Sequence, residues 1–397
     1  METQTNGKVS ASNAIDLIDT TQAVAEESTK PAPKTPSPDK PKRKHGGNNK
    51  GLAVALDIDA GAKRVKCRLN GEFKSFNAEA KEIKQDVPLR TAGCFGYRRK
   101  FYIVGNATDR ANGEVIQSSK NNKLTHLDIW ILGAITHYRN FLKSSVDSRR
   151  RKQQPVQLIL TLRVVTLSSP QRKELDKMLK AIEAFTWEDT EFNIKVKSVE
   201  FIDEGEGAAI EITRLHNLKR FGLLDLGGGT LTFTSYEWDG SHLDTTAKTA
   251  ISGGGMWGLQ NRIFKAITRT DRGMLLIEDS AIQVALEGSK VTDNGWNIPL
   301  RSNGTFFDIS NEVKGALSEW VNGNYQISQL FDLVSQKLAQ GEYVYCTGGG
   351  FAITTIAQWI CEYLSKDIPD SKISVLENPQ DVNLNGLRWL DIPKSDD

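Results

Sequence analysis

The sequence predicts an α/β protein of two related lobes facing each other across a cleft, and three observations carry that prediction. A strand that runs into an aspartate, a glycine turn and a second strand occurs first as LAVALDIDAGAKRVKCRL, with Asp59 and Gly61 at the turn. The same device returns as FGLLDLGGGTLTFTSY, with Asp225, Gly227, Gly228, Gly229 and Thr230 at its turn. Around both copies strand patterns alternate with helical ones, and a late strand meets Thr347-Gly348-Gly349-Gly350. Strands mixed with hairpins and helices, arranged twice, imply a duplicated α/β architecture.

The first half opens with strands over Leu52 to Ile58, Val65 to Leu69 and Glu72 to Phe76. Asn70-Gly71 closes the second pair, because a two-residue hairpin turn needs positive φ at both positions. Strand character returns at Phe101 to Val104. Leu127, Ile131, Leu132, Ile135, Tyr138 and Leu142 recur at helical spacing and predict one long helix over Leu124 to Val146. Arg149 to Lys152 reads as a solvated loop, Val156 to Leu162 as a buried strand. Ser169-Pro170 starts a helix running to about Phe185, since proline suits the first helical position. Val196 to Ile202 is a strand ending at Asp203-Glu204-Gly205, and Ala208 to Leu218 a helix.

In the second half Asp239-Gly240 closes the hairpin of the repeated device. Helices follow over Met256 to Thr268, Asn311 to Trp320, Ile327 to Ala339, Ala352 to Leu364 and Leu384 to Leu390, with short strands at Tyr343 to Cys346 and Ile373 to Val375. The expected organisation is a tail over 1–49, a first lobe over 50–220 and a second over 221–397. The tail is rich in Ser, Thr and Lys and carries Pro31, Pro33, Pro36, Pro38 and Pro41, a composition that cannot build a core. Its reading is a solvated linker, with a short docking helix at Ala14 to Ala25 and a basic patch at Lys40 to Lys44 as alternatives.

A net charge of +2 demands neither nucleic acid nor an anionic membrane. No apolar run approaches the roughly 20 residues needed to cross a bilayer. The first residues lack the apolar core of a secretory signal, so the expected location is cytoplasmic. Cys67, Cys94, Cys346 and Cys361 are scattered and fit reduced thiols rather than a zinc site.

Polyphosphate binding needs many donors at close range with no side chain in the way. Consecutive glycine amides supply them, as an anion-binding nest. Aspartates beside phosphates are useful only with a cation between, and Mg²⁺ keeps much of its water. Asp59 and Asp225 therefore read as water-mediated magnesium partners. Gly61, Ala62, Lys63, Arg64 and Lys66 form the first candidate phosphate loop, with Lys66 the favoured contact, and Gly227, Gly228, Gly229 and Thr230 the second. Gly348, Gly349, Gly350 and Phe351 are placed to cradle a base or ribose. No Walker lysine motif, dinucleotide fingerprint or protein-kinase signature is present.

Asp59, Gly61 and Lys66, then Asp225 to Thr230, then Gly348 to Gly350 resemble the phosphate and adenosine loops of the actin superfamily of ATPases, over roughly residues 51 to 392. The resemblance implies a duplicated ribonuclease-H-like core, bound Mg²⁺ and ATP, with GTP possible, and hydrolysis of that nucleotide. Phe201 to Ala209 is similar to the family's first connecting segment, where Glu204 takes the place of the residue that positions the attacking water, with Glu206 as second choice. Ala62 and Lys63 depart from the small or hydroxylic residues usual in the first loop. A compact first half, the Glu-Gly-x-Gly-Ala segment and Asn383-Leu-Asn-Gly386-Leu resemble above all the plasmid-segregation filament proteins of the ParM/StbA type. That likeness implies self-assembly into filaments, an adaptor protein and cargo such as plasmid DNA, without sequence-specific DNA contact by this chain. The alternatives are a cell-shape or envelope filament, and a small-molecule kinase with Asp203 or Glu206 as base.

Overall fold

The computed structural model describes residues 51–84, 90–117, 124–150, 155–166, 171–240, 242–269, 279–293 and 295–391. The expectations for the tail, for the Ser169-Pro170 helix start and for Arg151 and Lys152 lie outside them. The first half runs β1 (Leu52–Ala60), β2 (Arg64–Leu69), β3 (Glu72–Asn77), β4 (Glu79–Ile83), β5 (Cys94–Tyr97), β6 (Lys100–Val104), β7 (Gly113–Gln117), α1 (Leu127–His137), α2 (Arg139–Arg150), β8 (Val156–Thr166), α3 (Arg172–Lys180), β9 (Ala184–Trp187) and β10 (Thr190–Asp203). The second runs α4 (Glu206–His216), β11 (Arg220–Leu226), β12 (Thr230–Trp238), β13 (Leu243–Ser252), α5 (Met256–Thr268), α6 (Asp279–Glu287), two small hairpins, β14 (Lys290–Thr292) with β15 (Gly295–Asn297) and β16 (Pro299–Ser302) with β17 (Thr305–Asp308), then α7 (Ser310–Asn322), α8 (Tyr325–Ala339), β18 (Tyr343–Thr347), α9 (Thr354–Ser365), β19 (Ile373–Val375) and α10 (Val382–Gly386), followed by a 3₁₀ segment, Leu387–Asp391.

The duplication is written into the sheets. The first contains the order β3-β2-β1-β8-β10 and the second is β13-β12-β11-β18-β19. In each, three strands form an antiparallel meander and two more join parallel to its first strand. The first sheet continues past β10 through β9, β5, β6, β4 and β7 to ten strands. The second lobe carries α6 and the two small hairpins instead. Two separate apolar cores result, one centred on Leu56, Trp130, Leu160 and Phe192, the other on Phe233, Ile263, Trp320 and Phe331.

Asn70 and Gly71 both have positive φ, 48° and 91°, as the hairpin requires. The single helix expected over 124–146 is two. His137 stacks on Phe76 at 4.0 Å, and the Tyr138 hydroxyl lies 2.8 Å from the Glu72 carbonyl and 3.0 Å from that of Cys67. Both adjacent side chains are drawn into the sheet, and the helix breaks at Tyr138, with φ −90° and ψ 60°. Burial drives the His137 imidazole down to about 4, so it is neutral in this setting. Phe185 belongs to a strand rather than to the preceding helix, which ends at Lys180. Arg149 is a buried residue of α2 and not part of a solvated loop. The last expected helix is five residues of α-helix and then a 3₁₀ turn.

Two short helices meet where the halves join. α4 packs on the second sheet through Ala208, Ala209, Ile212, Phe221 and Leu223, whereas Leu384 and Leu387 pack with Val165 and Ile202 of the first. Where they cross, a Cβ on Gly207 would overlap the Asn383 carbonyl oxygen, and one on Gly386 the Gly207 carbonyl oxygen. Only glycine permits that approach. Arg163 ties the crossing to the first sheet, gripping Asp57 at 2.7 and 3.0 Å and donating to the Leu387 carbonyl at 3.1 Å. Arg68 adds bonds to the Leu384 carbonyl, 3.1 Å, and Asn385 Oδ1, 2.7 Å. A buried bidentate pair of this kind fixes orientation, because losing either partner strands a charge away from water.

Candidate functional site

The first glycine turn joins β1 to β2 and the second joins β11 to β12, so each Asp ends the first strand of its meander. Asp59 stands opposite Lys66 across the strand pair, with Lys66 Nζ 3.6 Å from its carboxylate. Asp225 neighbours Thr347 of β18 in register. The turns touch: a Cβ on Gly228 would lie 3.6 Å from the Ala62 Cβ and 3.4 Å from the Lys63 Cγ.

The second loop is stitched to the start of α5 through its carbonyls. Gly227 and Gly228 accept from the amides of Met256 and Trp257 at 3.0 and 2.9 Å, and Gly229 from Gly253 at 2.8 Å. The Gly227 N–H closes the turn on the Thr230 carbonyl at 2.9 Å, so the loop has the amides of Gly228 and Gly229 to offer an anion. The Trp257 ring lies over Gly229, 3.5 Å from where a Cβ would stand.

The third glycine turn packs against Asp225. Gly348 has φ +96°, and a Cβ there would overlap Asp225 Oδ1, so this close approach excludes any other residue. Gly350 donates to the Leu226 carbonyl at 2.9 Å, and Gly349 has open space around it. The Phe351 side chain is 2% exposed within the second core, so its ring is not a surface for a base. Gly348 N–H and the Thr347 hydroxyl both donate to the Pro379 carbonyl, at 3.0 and 2.7 Å.

Electrostatics join these parts into one site. Burial pushes the Asp225 carboxyl up to about 7; Glu204 and Asp59 add to the rise, while Lys66 and Lys248 oppose it. The first loop, the second loop and the connecting turn thus converge on one carboxylate. Glu204 sits at that turn, its N–H donating to the Thr166 carbonyl at 3.0 Å and its C=O accepting from Lys248 Nζ at 3.4 Å. Its neighbours have contacts of their own. Asp203 pairs with Arg172, and Glu206 accepts the Asp203 N–H at 3.1 Å. Gly205, with φ +91°, makes the bend between them.

Of the remaining basic residues of the first loop, Arg64 is exposed and donates to Ser75 Oγ at 3.1 Å. Lys63 reaches Gln260 and Gln283, at 2.8 and 2.7 Å, and burial lowers its ammonium to about 8 despite the carboxylate of Glu287. Three contributors were not foreseen: Lys248, Trp257 and Asp381. Burial raises the Asp381 carboxyl, and Lys66 and Arg64 counter the rise. No motif marks these three; each lies on a segment that only folding brings alongside a glycine turn.

Among the described residues no group of three His, Cys, Asp or Glu side chains is placed to hold a metal directly. The set does suit a hydrated cation. Asp59 and Asp225 are of like charge in a poorly solvated place, and Mg²⁺ retains water as its inner ligands. Among these residues, too, no helix is long and apolar enough to cross a membrane.

Two sheets of one strand order, with glycine turns meeting between them, define an actin-like fold with a duplicated ribonuclease-H-like core. Ta0583, an archaeal actin homolog, has a TM-score of 0.62 to this chain at 13% identity, over 85% of this chain and 98% of its own. A ParM from a 15-stranded filament of Clostridium botulinum gives 0.56 at 15% identity, over 85% and 99%. MamK from a double helical filament gives 0.56 at 16%, over 86% and 100%. Ta0583 also has a solved complex with ADP, to which this chain gives a TM-score of 0.54. No protein-family model matches the chain, and no curated protein sequence matches it.

Proposed function

We propose that the chain is a filament-forming ATPase (or GTPase) that binds its nucleotide with Mg²⁺ between the two glycine turns. The observation that carries the reading is the convergence on Asp225: Asp59 and Lys66 of the first turn and Glu204 of the connecting turn all act on it, while Gly348 packs against it. A cleft lined by carboxylates, a lysine and glycine amides suits a magnesium polyphosphate. The neighbours that form filaments, and the neighbour with ADP, support assembly and nucleotide binding.

Asp59 and Asp225 would hold the magnesium ion through water, and that ion when bound offsets charge on the phosphates. The amides of Gly228 and Gly229 and the Lys66 ammonium receive phosphate oxygens, and Gly348 to Gly350 border the nucleoside. Glu204 orients a water toward the terminal phosphate and takes its proton, a task that rests on position more than on covalent chemistry. The kinase alternative would take Asp203 or Glu206 as its base. Asp203 pairs with Arg172, and Glu206 accepts the Asp203 N–H. Assembly would then move or organise cargo, plasmid DNA or an envelope structure, through an adaptor in a cytoplasmic setting.

The test is sedimentation and light scattering of micromolar protein with Mg²⁺ and ATP, GTP or their slowly hydrolysed analogues. Nucleotide-dependent polymer is the expected result. Absence of polymer with every nucleotide overturns the filament reading, and absence of bound nucleotide overturns the site.

A further inference from the structure

Lys63 stands in the first glycine turn, yet its ammonium is engaged with the second lobe. Nζ donates to Gln260 Oε1 of α5 at 2.8 Å and to Gln283 Oε1 of α6 at 2.7 Å. The two amides are linked in turn: Gln260 Nε2 donates to Gln283 Oε1, and Gln283 Nε2 to Glu287 Oε1. On the way the Lys63 stem runs past Gly228, whose absent Cβ would lie 3.4 Å from Cγ and 3.9 Å from Cδ. A residue of the first lobe is therefore strapped over the second phosphate loop and fastened to two helices that pack on the second core.

The chemistry of the fastening is that of a catch. Charge-assisted hydrogen bonds are stronger than neutral ones, so an ammonium held by two amide oxygens resists separation. Neither partner is a carboxylate, however, and a lysine has rotatable bonds enough to leave without disturbing the backbone. A contact of this kind across a cleft governs opening and closing, the step that limits turnover in many enzymes.

We propose that Lys63 is a cross-cleft clasp: the two glycine turns part to admit or release nucleotide only when its ammonium leaves the Gln260–Gln283 pair. The clasp rests on the nucleotide-site reading above. It differs from a phosphate contact in a measurable way. Losing a clasp that re-forms in the bound state speeds entry and exit alike and leaves affinity nearly unchanged. Losing a phosphate contact speeds exit alone and weakens affinity.

The experiment is stopped-flow binding of a fluorescent ATP analogue with Mg²⁺ to the full chain and to Lys63→Met, which keeps the stem, together with Gln260→Met and Gln283→Met. The expected result is that association and dissociation in Lys63→Met both rise about tenfold, on the scale of one charged hydrogen bond, with Kd held within about threefold. Each glutamine variant should move the same way, and a glutamine change added to Lys63→Met should do little more. Unchanged rates overturn the clasp, as does a rise in dissociation alone. A second measurement needs no nucleotide. Amide hydrogen exchange at residues 61–66 and 227–230 should be several-fold faster in Lys63→Met than in the unmodified protein, and equal exchange overturns the clasp even if the chain binds no nucleotide. Failure of the unmodified protein to bind any nucleotide would instead overturn the site reading, so the two failures are distinct.

Discussion

At Asp225 one carboxylate serves two opposed demands. Left alone in the cleft its charge is unwelcome, and its carboxyl is pushed up to about 7 from 3.8. The ionised form is thus disfavoured in the folded state. This group's contribution improves as pH falls from 7 toward the unfolded value near 4, and worsens as pH rises through 7. Asp225→Asn should therefore raise the melting temperature of nucleotide-free protein at pH 8, by roughly 2 °C for about 1 kcal/mol, with little effect near pH 4. The same change should weaken magnesium-nucleotide binding at least about tenfold, and binding by the unmodified protein should decline as pH drops below 7. Calorimetry at both pH values with titration of nucleotide checks the pair of effects; a variant that is less stable and binds normally contradicts them. Glu204→Gln keeps the size and loses the base. Nucleotide binding should persist while phosphate release slows at least about tenfold, and unchanged release would move the role elsewhere. Residues of this kind were legible where chemistry demands a type at a spot, as with Asp59, Asp225 and the glycines that follow. Lys248 and Asp381 carry no such mark, being one lysine and one aspartate among many, and the burial of Phe351 depends on a core that no local pattern reveals.

Whole elements divided along the same line. Strands with a buried apolar run, such as β1, β8 and β11, and helices with a clear apolar stripe, such as α5 and α8, could be read from periodicity. β13 could not. Seven consecutive residues, 244–250, are exposed, so the strand leaves no alternation to find. β9 hides behind a helix because its four residues are too few to establish a period, and its turn depends on Glu188 at φ +50°. The helix break at Tyr138 is set from outside, by hydrogen-bond acceptors some seventy residues earlier in the chain. The crossing of α4 and α10 could not be read, since nothing local says that Gly207 and Gly386 meet. Gly207→Ala should cost roughly 1–3 kcal/mol, as overpacking does, lowering the melting temperature while far-ultraviolet circular dichroism stays the same. A Gly207→Ala protein as stable as the parent would mean that the crossing is looser than it stands here.

For the whole molecule, assembly is expected to reside in residues 51–391. A protein lacking residues 1–49 should sediment with nucleotide as the full chain does; loss of polymer would make the tail part of the assembly surface. The ten-stranded sheet is joined unevenly along its width. Its inner strands, β1, β8 and β10, are laced along most of their length, with eight register pairs between β1 and β8 alone. Of the outer strands, β5 meets β9 through one register pair, Gly96 with Thr186, while Phe95, Tyr97, Tyr102 and Val104 of β5 and β6 pack into the first core with Trp130 of α1. The two parts of the sheet are therefore held together by side-chain packing and by the chain running from β3 into β4, rather than by the backbone ladder.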